Sequence, residues 1–296
     1  MKLFDISTDS TCDLYANEIK EKGLFFLPLT YTLSDKGNIT EYKDEFTCYQ
    51  EYVDYYDKLR SGILSKTSMN NPAIHEAHFR KMAKAGVKDA VHFTISYGLC
   101  RTVEVARAAV AEVQKDFPEF NCLCIECSTT TIGQGLLVNI AVDMRNKGKT
   151  AQETFDYIES IKTHIQHFII ADDLMYLKRG GRLSAASAAI GTMLNVKPII
   201  IFNKEGKLIT YKKVRGIKRA LTDIAEELSH YTLNPDYPTV CIGHTDNTEY
   251  AEQLKSLIKE KYGIDAVIRM IGPVIGSHLG PNAVAYIFLS KEERPL

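Results

Sequence analysis

The sequence predicts an α/β fold, with a mostly parallel sheet carrying helices on both faces followed by a smaller α/β unit. Two observations point to it. In the first half, short apolar runs alternate with segments of helical period, the signature of strand–helix–strand units. After about residue 165 the loops turn glycine-rich (KRGGR, NKEGK) and new short strands appear. The 296 residues suffice for two ordinary domains, which places residues 1–165 in the first and 166–296 in the second.

The predicted strands of the first unit are 3–6, 24–29, 90–95 and 121–125, and the predicted helices 46–60, 73–85 and 102–115. A helix over 133–147 ends at Gly148, a glycine C-cap. Another over 151–166 leads into a strand at 168–171. Strands at 207–211 and 239–243 belong to the second unit. No internal repeat or low-complexity stretch interrupts the pattern. Ligands of such sheets lie beyond the carboxyl ends of the strands, which draws the eye to the polar loops there.

Composition narrows the function. The chain is 45% apolar and 25% charged, with a formal net charge of −1, so no overall field favours nucleic acid. The N-terminus lacks the apolar core of a signal peptide and no run nears the ~20 residues of a membrane helix, which predicts a cytoplasmic protein. Seven cysteines fit a reducing compartment. Cys122, Cys124 and Cys127 read as buried strand thiols rather than zinc ligands, since no second Cys/His pair stands at the required spacing.

Five polar clusters flank apolar elements: STDSTCD (7–13), KTSMNNPA (66–73), TISYGLCRT (94–102), ECSTTTIGQG (126–135) and IGPVIGSHLGPNA (271–283). Thr67, Ser68 and Ser96 would meet helix N-termini there and could face an anion, although in any one loop such a hydroxyl usually just caps the helix. Thr102 is the expected cap of the 102–115 helix, and Pro72 with Asn71 favours a turn into the next. No P-loop, dinucleotide fingerprint or nucleophile elbow is present. Asp172–Asp173 reads as a cap for the 174–178 turn rather than a metal site. Taken alone, His278 is a hydrogen-bonded structural residue, and Arg182 and Arg215 are solvated charges.

Taken together, the segments 5–13, 67–72, 96–102 and 133–138, with DDLMYLKRGGRLS (172–184), GTMLNVKPII (191–200), KVRG (213–216), GHTDN (243–247) and GPVIGSHLGP (272–281), resemble the DegV family of fatty-acid-binding proteins. The resemblance covers nearly the whole chain in order. It implies one long-chain fatty acid held between two domains, its tail in an apolar tunnel and its carboxylate at a polar mouth. The carboxylate contacts would come from Thr67 and Ser68, from Ser96 and Cys100 in the second loop, and from the nearby His278. Arg182 and Arg215 match arginines of the head-group region or of the surface that docks a fatty acid kinase catalytic subunit, which makes the acyl phosphate used in phospholipid synthesis.

On this reading the chain is a carrier, not an enzyme. It has no cofactor beyond its lipid, no nucleic acid partner, and a transient contact with a membrane surface. Ile190, Met193 and Leu194, on one face of a 183–196 segment, would line the tunnel. Cys100 and Arg101 depart from the family's SSGLSGT pattern, which replaces a hydroxyl by a weaker donor and adds a charge at the mouth. The competing reading is a small-molecule hydrolase or phosphotransferase using Ser96 and His278.

Overall fold

The computed structural model describes residues 2–183 and 195–295. Its first sheet is four parallel strands in the order β2 (Phe25–Leu27), β1 (Asp5–Asp9), β6 (Asp89–Thr94) and β7 (Asn121–Glu126). Alternation along the strands sends side chains to two cores. Ala90, Cys122 and Cys124 meet helices α3 (Pro72–Lys84) and α4 (Thr102–Gln114). Val91, Phe93 and Ile125 meet α5 (Thr131–Asn146) and α6 (Ala151–Ile161). The expected helices on both faces are therefore present, and Cys127 is likewise buried in the second of these cores. No group of three metal-ligating side chains occurs among the described residues.

A six-stranded sheet follows, in the order β10 (Leu208–Arg215), β9 (Val196–Phe202), β8 (Ile165–Ile170), β13 (Val284–Leu289), β11 (Val240–His244) and β12 (Val267–Met270). All its pairings are antiparallel except β11–β12. Its two faces are both apolar. Ile169, Ile200, Phe202, Ala285 and Ile287 face the same core as α5, whereas Phe168, Ile199, Val284, Tyr286 and Phe288 face helices α8 (Ile217–Glu226) and α9 (Thr248–Tyr262). Helix α5 thus lies between the two sheets, and one continuous core joins them.

A third sheet was not legible in the sequence. Strands β4 (Asn38–Lys43), β3 (Thr30–Asp35) and β5 (Leu64–Ser68) form an antiparallel triplet. Thr67 and Ser68 therefore end a strand and do not meet a helix N-terminus as expected. Behind this sheet lies α2 (Tyr49–Arg60), whose Tyr52, Tyr55, Tyr56 and Leu59 recur at i, i+3, i+4, i+7 and are all buried. The hydroxyls of Tyr55 and Tyr56 reach α10 (Pro273–Leu279) and the residues before it: Tyr55 donates to the Pro273 carbonyl (3.0 Å) and Tyr56 to that of Ile271 (2.7 Å).

The helix expected over 151–166 stops at Ile161, because Lys162–His164 tightens into a 3₁₀ turn and β8 begins at Ile165. Thr102 is the first helical residue of α4 and not its cap; its hydroxyl bonds His75 Nε2 (3.2 Å). Asn71 does cap α3, accepting from Ile74 N–H, with Pro72 in the first turn. Asp173 accepts the Met175 N–H at the start of α7 (Met175–Gly180), and Asp172 pairs with Lys197. Among the described residues, no helix is long and apolar enough to cross a membrane.

Candidate functional site

A cavity of about 780 Å³, counting the space at its mouth, lies where the three sheets meet. Its walls come from the loops beyond the strand ends of the parallel sheet (Leu29, Ile95, Leu99), from the inner face of the six-stranded sheet (Ile169, Phe202, Ala285), and from α10 with its preceding residue (Ile271, Val274, Ile275). Pockets for small molecules are lined mainly by apolar groups, as here.

A polar group stands in this wall. Thr67 Oγ1 lies 2.8 Å from His278 Nε2, and Arg182 and the exposed Ser68 join them in the lining. Thr67 is half-buried. Burial, and then the charge of Arg182, push the His278 imidazole down to about 4, so it is neutral at physiological pH. With Nε2 protonated, the ring donates to Thr67 Oγ1 and frees the threonine proton for an anion. His278 Nδ1 is buried with no hydrogen-bond partner among the described residues. Beyond this group, a second opening of about 580 Å³ shares Thr67, Arg182 and His278, and adds Lys66, Tyr176 and Arg179. Among the described residues its lining has three cationic side chains and no carboxylate.

The motifs KRGGR and GSHLGP interlock at this point. A Cβ on Gly180 would overlap the His278 ring, so the end of α7 can reach the imidazole only as glycine. Gly180→Ala should gain ~0.5–1 kcal/mol of helix propensity yet lose about 1–3 kcal/mol to overlap, a net destabilisation in urea unfolding. Adding His278→Ala should relieve it. A stabilised single variant would contradict the close approach.

Cys100 is half-buried in the cavity wall, and burial raises its thiol above the ordinary range, which keeps it protonated. Ser96 is elsewhere. It is fully buried and donates to the Gly206 carbonyl (2.7 Å), because Gly98 lets the β9–β10 turn close over its loop. Ser96 lines neither opening. Arg215 is exposed at the far end of β10, whereas Leu183 bridges its first residue, Leu208; the two arginines thus stand roughly 20 Å apart along that strand. Ile190, Met193 and Leu194 lie outside the described residues. Sequence reasoning missed Thr130 and Thr131, which line the cavity; the Thr130 hydroxyl is buried without a partner among the described residues. The ECSTTTIGQG loop was the available signal.

The family model described as "Uncharacterised protein, DegV family" matches residues 4–291. The chain belongs to the DegV family. A DegV domain-containing protein of Clostridium perfringens is 34% identical over 296 residues, all of both chains. Among solved DegV structures, the fatty acid binding DegV family protein of Streptococcus agalactiae is 29% identical, with a TM-score of 0.82 over 98% of this chain and 99% of that one. A DegV lipid binding protein from Thermotoga maritima shares the fold at 24% identity, with a TM-score of 0.83 over 99% of this chain and all of that one.

Proposed function

We propose that this DegV protein carries one long-chain fatty acid in the 780 Å³ cavity, with the carboxylate at Thr67, Ser68, Arg182 and His278, and presents it to a separate kinase. The observation that carries the reading is a largely apolar cavity whose wall holds the hydrogen-bonded Thr67–His278 pair beside Arg182. Burying ~14 methylenes contributes on the order of 11 kcal/mol before ordering costs, so the tail supplies most of the affinity and the head is merely oriented. Kinase presentation adds a requirement: the carboxylate must stay reachable. The cationic opening beyond Thr67 and His278 supports that, since it connects the head group to solvent.

The hydrolase alternative is disfavoured by the hydrogen bonds of its two residues. Ser96 Oγ is spent on the Gly206 carbonyl and His278 Nε2 on Thr67, so no serine–histidine pair is assembled. Mass spectrometry of the denatured, purified protein should reveal a fatty acid. His278→Ala and Thr67→Val should each weaken its binding by about 10-fold, the worth of a hydrogen bond to a charged group. Repeated lipid-free preparations would overturn the carrier reading. Acyl phosphate formation by this chain alone, from ATP and fatty acid, would overturn the separate kinase.

A further inference from the structure

A second cavity, of about 840 Å³, lies on the other side of the β1 loop, and nothing in the carrier reading uses it. Asp13, which follows β1, and Asp44, which follows β4, stand in its wall and are both buried. Asp13 Oδ1 accepts the Gly272 N–H at 2.9 Å. Oδ2 of each aspartate is buried with no hydrogen-bond partner, and neither residue has an ion pair among the described residues. The two carboxylates converge: a Cβ built on Gly272 would stand 2.7 Å from Asp13 Oδ1 and 3.4 Å from Asp44 Oδ1.

Converging buried carboxylates are costly unless something positive or a proton comes between them. Burial pushes Asp44 up to about 7, and burial and then the Asp44 charge push Asp13 up as well. Among the described residues no lysine or arginine lines the cavity to serve as counter-charge, and the exposed Glu45 adds a third carboxylate at its edge. The remaining walls combine the aromatic Phe26, Phe46 and Tyr52 with Leu14, Ala16 and Ile19, and with the hydroxyls of Ser10 and Thr47. A hard metal ion wants several oxygen ligands, and no group of three acidic, histidine or cysteine side chains is arranged for one among the described residues. Carboxylates backed by aromatic faces instead suit a cation with N–H donors and a hydrocarbon body. The anionic head of a fatty acid would be repelled here, so the two cavities differ in ligand class.

We propose that the Asp13–Asp44 cavity binds a small organic ammonium ion, a primary amine or diamine. Titration calorimetry and thermal shift at pH 8, with n-butylammonium and 1,4-butanediammonium chlorides against sodium and magnesium chlorides at matched ionic strength, test it. Saturable binding of an amine, with a rise in Tm, is expected. Asp44→Asn should weaken it at least ~10-fold and Phe46→Ala about 5-fold, the second by removing a cation–π wall, with fatty acid content unchanged in both. Three results would each overturn the site: no saturable heat with either amine, equal binding by both variants, or the same saturation with magnesium. Phe46 is only half-buried, so its variant keeps the test decisive should Asp44→Asn fail to fold.

Discussion

Ala285→Phe should abolish most fatty acid binding while the protein stays folded. Ala285 lies on β13, on the face of the six-stranded sheet turned towards the cavity, between Val284 and Tyr286, which point into the opposite core. Its small side chain is what leaves space against Ile169 on the neighbouring β8 and Phe202 on β9 beyond it. A benzyl group there would take the room of several methylenes of the tail. Displacing about five of them forfeits ~4 kcal/mol at 0.8 kcal/mol each, close to a thousandfold in affinity. The added ring fills existing space and buries its own surface, so the melting temperature of lipid-free protein should hold or rise. Ala285→Ser, nearly isosteric, should cost far less binding. If the phenylalanine variant retains palmitate as well as the wild type, the tail does not occupy this cavity.

The same residue shows where the sequence stops being informative. The unbroken apolar run VAYIFL suits a strand buried on both faces, and it is one. Which face fronts a cavity depends on β8, paired with it across more than a hundred residues, and on β9 beyond, and no local pattern encodes that. Thr67 is a clearer case. Its motif flagged a polar site correctly, but the reading put it at a helix start, because β5 owes its existence to pairing with β3, thirty-odd residues upstream. Strands β4 and β5 are largely exposed and polar, so they carry little hydrophobic periodicity to find. Ser96 went the other way. It looked like a mouth hydroxyl, and it is sealed by the turn around Gly206, 110 residues on. The parallel sheet and its helices were legible because each unit is local and strongly apolar. Asp44 gave no sign at all: a single aspartate before a tyrosine-rich helix looks solvated until its neighbours are known.

Those buried titratable groups should make stability depend on pH in two opposed ways. Burial, and for His78 also the neighbouring His75, hold His75 and His78 down to about 4, and His92 is lowered well below its ordinary value. Ser7 Oγ bridges the latter pair, at 2.7 Å from His78 Nε2 and 2.8 Å from His92 Nδ1, in a core with no room for imidazolium. Between pH 6.5 and 4 the unfolded chain therefore binds protons that the folded one refuses, and stability falls as pH drops through that window. At 1.36 kcal/mol per pH unit, His75 and His78 could each remove on the order of 3 kcal/mol by pH 4. Asp44 works against them. Its folded value near 7 exceeds the unfolded 3.8, so the folded state takes up the extra proton and gains stability as pH falls from 7 to 4, by up to ~4 kcal/mol. Wild-type urea midpoints should consequently fall less steeply from pH 8 to 5.5 than the histidines alone would make them. Asp44→Asn, neutral throughout, should be more stable than wild type by roughly 2 kcal/mol at pH 8, lose that advantage by pH 5, and show the steep acid loss of the histidines unmasked. Adding His78→Asn, which can still bond Ser7, should flatten that loss again. Parallel wild-type and Asp44→Asn profiles across the whole range would mean that Asp44 titrates as an ordinary surface carboxylate, and the buried, unpaired acid on which its cavity depends would not exist.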